Sequence, residues 1–213
     1  TDAGVFRSTN DGGTWTAVHP VSTLSSAVVP VTALTAIGTN LLAGVGNGRG
    51  PYRSTDNGAS WEEEPLPTSL NYTIDNFLVH GTSIFAAADN SGVFRSTDNG
   101  VTWIRCSTAS ANTLAYVGST LIASYSAPAG IFISRSTDNG NSWTPVTTSG
   151  LATTDVYALA SNGTSLYAGT QDGVFLSTNL GTSWTALGSG MTNAIVQSFA
   201  FIGTSMFAAS DKG

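Results

Sequence analysis

The stretch RSTDNGASW, residues 53–61, recurs in close copies along the whole chain. The copies are RSTNDGGTW (7–15), RSTDNGVTW (95–103), RSTDNGNSW (135–143) and LSTNLGTSW (176–184). Successive tryptophans are separated by 46, 42, 40 and 41 residues, and the interval from the last tryptophan to the first through joined termini is 44. A spacing that is kept across the termini indicates a ring of five units.

Each unit has the texture of four short β-strands. In residues 155–187 the apolar runs VYALA, SLYAGT, GVFLS and SWTAL are separated by Asn-Gly, Asp-Gly and Leu-Gly. Glycine supplies the positive φ that tight turns between strands require. Units of about 40 to 45 residues with four strands are typical of propeller blades. The sequence therefore predicts an all-β fold, a five-bladed β-propeller of four-stranded antiparallel blades.

The two termini carry complementary parts of one unit. Residues 203–213, GTSMFAASDKG, match residues 81–92, whereas residues 3–9, AGVFRST, match residues 91–97. We therefore predict a single domain, 1–213, whose ring is closed by a composite blade that shields sheet edges. The predicted blades are 195–213 plus 1–20, 30–64, 72–106, 111–147 and 154–188. Five blades of a larger propeller are an open alternative, while a solenoid would need polar capping repeats that are not seen.

The repeated nonapeptides share the pattern Ser-x-Asp/Asn-x-Gly-x-x-Trp. The residues are Ser8, Asn10, Gly12, Trp15; Ser54, Asp56, Gly58, Trp61; Ser96, Asp98, Gly100, Trp103; Ser136, Asp138, Gly140, Trp143; and Ser177, Asn179, Gly181, Trp184. This pattern resembles the Asp-box, or BNR repeat, of sialidases, sortilin-type receptors and secreted bacterial propellers. The resemblance covers the whole chain and implies a structural turn between the third and fourth strands of each blade.

Each box residue has a physical role that requires no catalysis. The Asp or Asn oxygen accepts hydrogen bonds from backbone N–H groups of its own turn, and the charge of Asp strengthens these bonds. Glycine adopts the left-handed conformation that is costly for other residues. Tryptophan buries roughly 150 to 250 Å² against the blade. We predict that the boxes specify the fold and are not catalytic.

The composition excludes several classes of partner. Charged residues make up only 9% of the chain, the net charge is −6, and no basic run is present, so nucleic acid is not expected. Cys106 is the single cysteine, and His19 and His80 are the only histidines. These counts favour neither a disulfide nor a zinc site, and the box does not complete a calcium loop. We predict no metal, no cofactor and no membrane span.

One position of the repeat is polar in every blade and different in every blade. It lies six residues before the glycine that ends each first strand and holds Thr32, Asp75, Asn112, Tyr157 and Gln197. The resemblance implies that such variable positions face the central axis at the mouth opposite the boxes. Tyr125 and Tyr157 would add flat aromatic surfaces there. We predict ligand binding at this ring, the alternative being a water-filled channel lined by arbitrary polar residues.

Three functions are compatible with this pattern. A sialidase is disfavoured, because an F/Y-R-I-P segment and a set of three arginines outside the repeats are missing. The favoured hypothesis is a non-catalytic, monomeric binding module of a secreted or cell-surface bacterial protein, with a glycan or a protein as ligand and its leader outside this chain. The alternatives are a glycoside hydrolase-like enzyme that uses Asp75 and Asp155, or a structural scaffold. We expect the solvated, charged side chains of Glu62, Glu63 and Glu64 to protect the outermost strand of their blade from pairing with another chain.

Overall fold

The computed structural model describes residues 4–18, 30–46, 48–68, 71–127, 130–151, 155–188, 191 and 194–211. These residues form twenty β-strands. None of them lies in a helix that is long and apolar enough to cross a membrane. The chain divides into two compact units, Thr1–Thr108 and Ala109–Gly213, each of which is described by itself. The predicted all-β character is confirmed.

The first unit contains one two-stranded and two four-stranded antiparallel sheets. Its strands are β1 (Phe6–Arg7), β2 (Thr16–Ala17), β3 (Val31–Ile37), β4 (Asn40–Val45), β5 (Tyr52–Ser54), β6 (Glu62–Glu63), β7 (Ile74–His80), β8 (Ser83–Ala88), β9 (Gly92–Ser96) and β10 (Ile104–Ser107). Strands β3 to β6 and β7 to β10 each form a sheet in sequence order, and β1 pairs with β2. The core lies between the sheets, where Leu42, Ile74 and Phe94 are fully buried.

The second unit also contains two four-stranded sheets and one two-stranded sheet, but here the two-stranded sheet comes last in the chain. Its strands are β11 (Thr113–Val117), β12 (Thr120–Ala127), β13 (Gly130–Ser136), β14 (Thr144–Val146), β15 (Val156–Ser161), β16 (Leu166–Thr170), β17 (Gly173–Ser177), β18 (Thr185–Leu187), β19 (Val196–Ile202) and β20 (Ser205–Ser210). Strands β11 to β14 and β15 to β18 form four-stranded sheets, and β19 pairs with β20. Ile122, Ile133 and Leu166 are fully buried between the sheets.

The strands assigned to the composite blade form two separate two-stranded sheets, β1–β2 and β19–β20. In the first unit β1–β2 packs on the β3–β6 sheet, and the Trp61 indole donates to the Val18 carbonyl at 2.9 Å. In the second unit β19–β20 packs beside β15 and β16, with the rings of Phe201 and Tyr167 5.6 Å apart. The four-stranded blades are confirmed for four of the five predicted units. Closure and a blade count of five stay predictions.

The boxes are turns between third and fourth strands in the four-stranded sheets and between β1 and β2 in the first unit, and the bonds from the serine and to the Asp or Asn oxygen recur in each copy. In the box of β9 and β10, the Ser96 hydroxyl donates to Asp98 Oδ1 at 2.8 Å and accepts the Gly100 N–H at 2.9 Å. Asp98 Oδ1 also accepts the Thr102 N–H at 2.9 Å, and the Trp103 indole donates to the Gly100 carbonyl at 3.0 Å. The expected role of the carboxylate as an acceptor for its own turn is therefore observed.

Two residues of each box, not one, adopt the left-handed conformation. The box glycines have φ from 83° to 87°, as expected. The residue before each glycine also has positive φ, between 54° and 60°; these residues are Asp11, Asn57, Asn99, Asn139 and Leu180. Asn and Asp tolerate this region best among residues with side chains, which explains the Asp-Asn-Gly sequence of three boxes. Sequence analysis assigned the requirement to glycine alone.

The box tryptophans differ in burial: the two buried ones pack against the preceding sheet, whereas Trp61 and Trp143 are partly buried. Gly100 lies against Leu42 of the preceding sheet, and Gly181 lies against Ile133 in the same way. Trp103 and Trp184 are accordingly 6% and 5% exposed. Trp15 has no preceding sheet within its unit and is 63% exposed. The expectation that every box tryptophan is buried is wrong for Trp15 in this structure.

Two boxes contain Asn in place of Asp. In these two, the hydrogen bond between this side chain and the hydroxyl group four residues later runs in the opposite direction. Ser142 Oγ donates to the Asp138 carboxylate, whereas Asn179 Nδ2 donates to Ser183 Oγ at 2.8 Å. Bonds from the Ser142 side chain first, then its backbone N–H and the Ser136 hydroxyl, hold the pKa of Asp138 at about 2. Because the Asp138 pKa is depressed from 3.8, its stabilisation is present above that value and is lost as the pH falls through about 2.

We expect Asn179→Asp to stabilise the chain at pH 7 by about 0.5 kcal/mol, because a charge-assisted set of bonds replaces a neutral one at an exposed turn. Urea unfolding at pH 7 and at a pH of about 2 or below, where the box aspartate is protonated in the folded state, checks this expectation. The gain should disappear in acid. Asn10→Asp is the matched variant in the other Asn box, and a gain that persists at low pH would contradict the electrostatic reason.

The acidic run after Trp61 is paired rather than simply solvated. Arg53 Nε lies 2.8 Å from Glu64 Oε1 and Arg53 Nη2 lies 3.2 Å from Glu62 Oε2. The Tyr52 hydroxyl donates to Glu63 Oε2 at 3.1 Å. The Glu62 side chain is 74% exposed and the Glu64 side chain only 12%, so the expected solvated edge is observed at Glu62 and is wrong for Glu64. The sequence pattern does not indicate this pairing, because Arg53 precedes the box whereas the three carboxylates follow it.

Candidate functional site

The polar position of the repeat coincides with a β-bulge in four of the five first strands. The register between first and second strands shifts at Val31/Ala33, Ile74/Asn76, Val156/Ala158 and Val196/Ser198. The extra residues are therefore Thr32, Asp75, Tyr157 and Gln197. Asn112 lies just before β11, and its N–H donates to the Ser124 carbonyl at 3.0 Å. A bulge re-aims a side chain and is common beside binding sites, a signal that the apolar periodicity alone does not contain.

Thr32 joins two sheets of the first unit. Its hydroxyl oxygen lies 2.6 Å from the Ile74 carbonyl oxygen and 3.2 Å from that of Gly44. Since the hydroxyl has one hydrogen, the shorter contact is the bond, and it connects β3 to the first residue of β7. Gly44 has no room for a side chain, because a Cβ there would lie 2.9 Å from Ile74. Thr32 thus has a structural contact that sequence analysis did not foresee.

Asp75 is the acidic residue at the bulge position of the first unit. Burial of its surroundings raises the pKa of Asp75 to about 6, and the charge of Asp89 adds to this rise. A hydrogen bond with the Asp89 backbone N–H acts in the opposite direction. The Asp75 residue is itself exposed to solvent, so water screens much of the effect. Asp89 follows β8 in the loop that connects β8 to β9.

We expect Asp75→Asn to stabilise the chain at neutral pH and to have little effect near pH 4. The raised pKa means that ionised Asp75 destabilises the folded state, and this cost grows as the pH rises from 3.8 through about 6. After allowance for solvent screening, the gain should be about 1 kcal/mol at pH 7.5. Urea unfolding at both pH values is the measurement. Equal changes at the two pH values would contradict the electrostatic explanation.

In the second unit the bulge positions lie on neighbouring strands. The Leu159 N–H donates to Thr113 Oγ1 at 3.2 Å, which places the start of β11 beside β15. Strand β19 packs against β15 and β16, and a Cβ on Gly169 would lie 2.6 Å from the Val196 carbonyl oxygen. Tyr157 and Gln197 are therefore carried by neighbouring strands, and Asn112 immediately precedes β11, which also contacts β15. We call these three residues, an amide, a tyrosine and an amide in chain order, the row.

The two tyrosines proposed for the site differ in their exposure to solvent. Tyr157 is 41% exposed at the centre of the row, and Gln197 is also exposed. Tyr125 is only 6% exposed, so its ring is not a surface for a ligand in this structure. The expectation that both rings are presented is wrong for Tyr125. An exposed ring with flanking amides offers one apolar face and several neutral hydrogen-bonding groups.

The proposed catalytic pair is divided between the two units. Asp75 belongs to the first unit, and Asp155, which is partly buried, precedes β15 in the second. Their pairing stays a prediction. In the described parts of the chain, no three His, Cys, Asp or Glu side chains lie together as a metal site would require.

Comparison with known proteins identifies the fold. No protein-family model and no curated protein sequence matches the chain. Solved structures do match: a structure of YCF48 bound to a D1 peptide has a TM-score of 0.67 and 18% identity over 94% of this chain and 66% of that chain. The GH74 enzyme of Niastella koreensis has a TM-score of 0.68 and 18% identity over 97% of this chain and 38% of its own.

A third similar structure is BamB from Moraxella catarrhalis, with a TM-score of 0.63 and 14% identity over 84% of this chain and 55% of that chain. These neighbours are β-propeller proteins. The chain thus has a β-propeller repeat fold, assembled from four-stranded antiparallel sheets. It spans less than two thirds of the length of each of these three neighbours. Identities this low define the fold and leave the chemistry to the site.

Proposed function

We propose that this chain is a non-catalytic binding module and that its ligand contacts the bulge positions. The observation that carries the proposal is the bulge itself, which occurs at the same register in four first strands while the residue it displays differs each time. Packing requires a repeated geometry but gives no reason for Asp75, Tyr157 and Gln197 to differ. A shared scaffold with unlike side chains is what recognition of an asymmetric ligand requires.

A neutral glycan suits the row in the second unit. Tyr157 provides an exposed flat ring, and the amides of Asn112 and Gln197 provide donors and acceptors for hydroxyl groups. No Lys or Arg stands at any of the five positions, so an anionic group has no counter-charge among them. A protein or peptide ligand is the other form of the proposal, and the YCF48 neighbour is described as bound to a peptide.

Glycan-array binding followed by calorimetry on Tyr157→Ala tests the proposal. We expect Tyr157→Ala to weaken binding by about tenfold or more, as for a central aromatic contact. Phe207→Ala is the control, because Phe207 is 55% exposed on β20 of the same unit but stands outside the row. Binding that is unchanged by Tyr157→Ala would contradict the proposed site. Empty arrays and an empty peptide screen would favour the scaffold alternative.

The enzyme alternative receives support from Asp75. A carboxyl group whose pKa is raised to about 6 has the property that a general acid needs near neutral pH. One structural neighbour is a GH74 enzyme. If the chain hydrolyses a glycan that it binds, Asp75→Asn and Asp155→Asn should each abolish turnover while binding is retained. Turnover retained by both variants would eliminate this alternative.

The proposal also includes three more specific statements, which rest on the repeat and on its resemblance to Asp-box propellers. They are a ring of five blades closed by residues 195–213 plus 1–20, membership of the Asp-box class, and a monomeric, secreted or cell-surface bacterial protein. The five nearly equal tryptophan intervals support the ring, and the five similar turns support the class. A crystal structure tests blade number and closure, and light scattering tests the oligomeric state.

A further inference from the structure

The chain contains five Asn-Gly dipeptides, at Asn47, Asn57, Asn99, Asn139 and Asn162. Asn47 lies outside the described residues. Three of the others stand at the centre of box turns, whereas Asn162 lies in the turn between β15 and β16. Glycine lacks a Cβ, so its backbone nitrogen can approach the preceding side chain closely. Asn-Gly is therefore the dipeptide in which an asparagine amide is most open to attack by its own backbone.

The reaction that threatens such a dipeptide is deamidation, which requires water alone. The glycine nitrogen forms a bond to Asn Cγ, and the side-chain nitrogen leaves as ammonia. The resulting five-membered imide is then opened by water at either carbonyl to give aspartate or isoaspartate. One neutral amide is converted to one carboxylate, and isoaspartate formation also inserts an extra backbone atom.

In the box turns the attacking nitrogen is held in place. The N–H groups of Gly58, Gly100 and Gly140 donate to the hydroxyls of Ser54, Ser96 and Ser136 at 2.8, 2.9 and 2.8 Å. All three glycines are buried. Gly58 packs against Val18, and a Cβ on Gly100 would lie 2.7 Å from Leu42. To attack, the glycine nitrogen must leave the serine and turn within a packed site.

The turn at Asn162 has no such packing. Gly163 also donates to a serine hydroxyl, that of Ser161 at 2.9 Å. It is exposed, however, and a Cβ on Gly163 would have nothing within 4 Å. Asn162 Oδ1 accepts the N–H groups of Thr164 and Ser165 at 3.2 and 2.9 Å. These donors withdraw electrons from the carbonyl carbon that would be attacked.

We propose that Asn162 is a site of spontaneous deamidation and that each box protects its own asparagine, because the box glycine is both packed and bonded to the box serine. The box thus preserves the chemical integrity of the turn as well as its shape. Deamidation at Asn162 removes the Nδ2 donor to the Tyr167 hydroxyl, a contact of 3.2 Å, and places a negative charge in the turn.

Peptide mapping by mass spectrometry during incubation at mildly alkaline pH tests both parts. In the folded protein Asn162 should deamidate at least about tenfold faster than Asn57, Asn99 and Asn139, because attack in a box requires a local opening. In concentrated urea all four should react at similar rates, so the unfolded chain is the internal control. Box asparagines that react as fast as Asn162 in the folded protein would overturn the proposal, and so would an Asn162 as slow as the boxes.

Ser136→Ala tests the protective role of the serine. It should raise the rate at Asn139 severalfold, while Asn57 and Asn99 in the same molecule stay slow and report that the remaining boxes are folded. A global loss of structure would accelerate all three sites and is thereby distinguished. An unchanged rate at Asn139 would overturn the role of the serine.

Discussion

Trp103→Ala should reduce the free energy of unfolding by about 3 to 5 kcal/mol, the range for removal of a large buried aromatic side chain. Trp103 is 6% exposed in the core of the first unit, 6.2 Å from the ring of Phe77. The substitution leaves a cavity between two sheets and removes the indole hydrogen bond to the Gly100 carbonyl. Urea or thermal unfolding, followed by far-ultraviolet circular dichroism, measures the loss.

Trp15→Ala is the matched control for this prediction. It removes the same residue from the same position of the repeat, but Trp15 is 63% exposed. With little apolar area lost, the cost should stay below about 1 kcal/mol. Equal losses for the two variants would mean that Trp15 is buried in solution. That result would favour a ring closed over the first box and would contradict the exposure seen in this structure.

Gly150→Ala should destabilise the chain by about 3 kcal/mol through two effects that add. Gly150 has a φ of +77°, and a Cβ there would lie 2.2 Å from the Trp184 carbonyl oxygen. The neighbouring residue Ser149 exchanges backbone hydrogen bonds with Thr182 and Trp184. This segment connects the β11–β14 sheet to the last box of the second unit, so a clash here separates the two.

Gly188→Ala is the control that measures the cost of the left-handed backbone conformation without a steric clash. Gly188 has a φ of +80°, and a Cβ there would have nothing within 4 Å, so only the cost of the left-handed conformation remains. We expect a loss of about 1 kcal/mol from calorimetric unfolding. The difference between the two variants measures the close approach at Gly150. Equal losses would show that the segment relaxes away from Trp184 at little cost.

The candidate site was only partly predictable from the sequence. Alignment of the repeats identified Tyr157 and Gln197 as variable polar positions, because packing residues around them recur and they do not. The contact of Thr32 with Ile74, at 2.6 Å, could not be foreseen, since 42 residues separate the partners. The burial of Tyr125 on β12 and the position of Asp89 beside Asp75 are likewise set by the tertiary structure around them.

The repeat by itself determined the strands, their antiparallel order and the turns, because these depend on contacts within about forty residues. Alternating apolar residues, Asn-Gly turns and the box are all local signals, and each box closes its own hydrogen bonds. Tertiary structure decided which repeated residues are buried, as the contrast between Trp103 and Trp15 shows. It also decided the surroundings of Asp75, whose burial and proximity to Asp89 raise the pKa of that carboxyl to about 6. The physical reason is that burial and electrostatic environment depend on the adjacent sheet, which a single repeat does not contain.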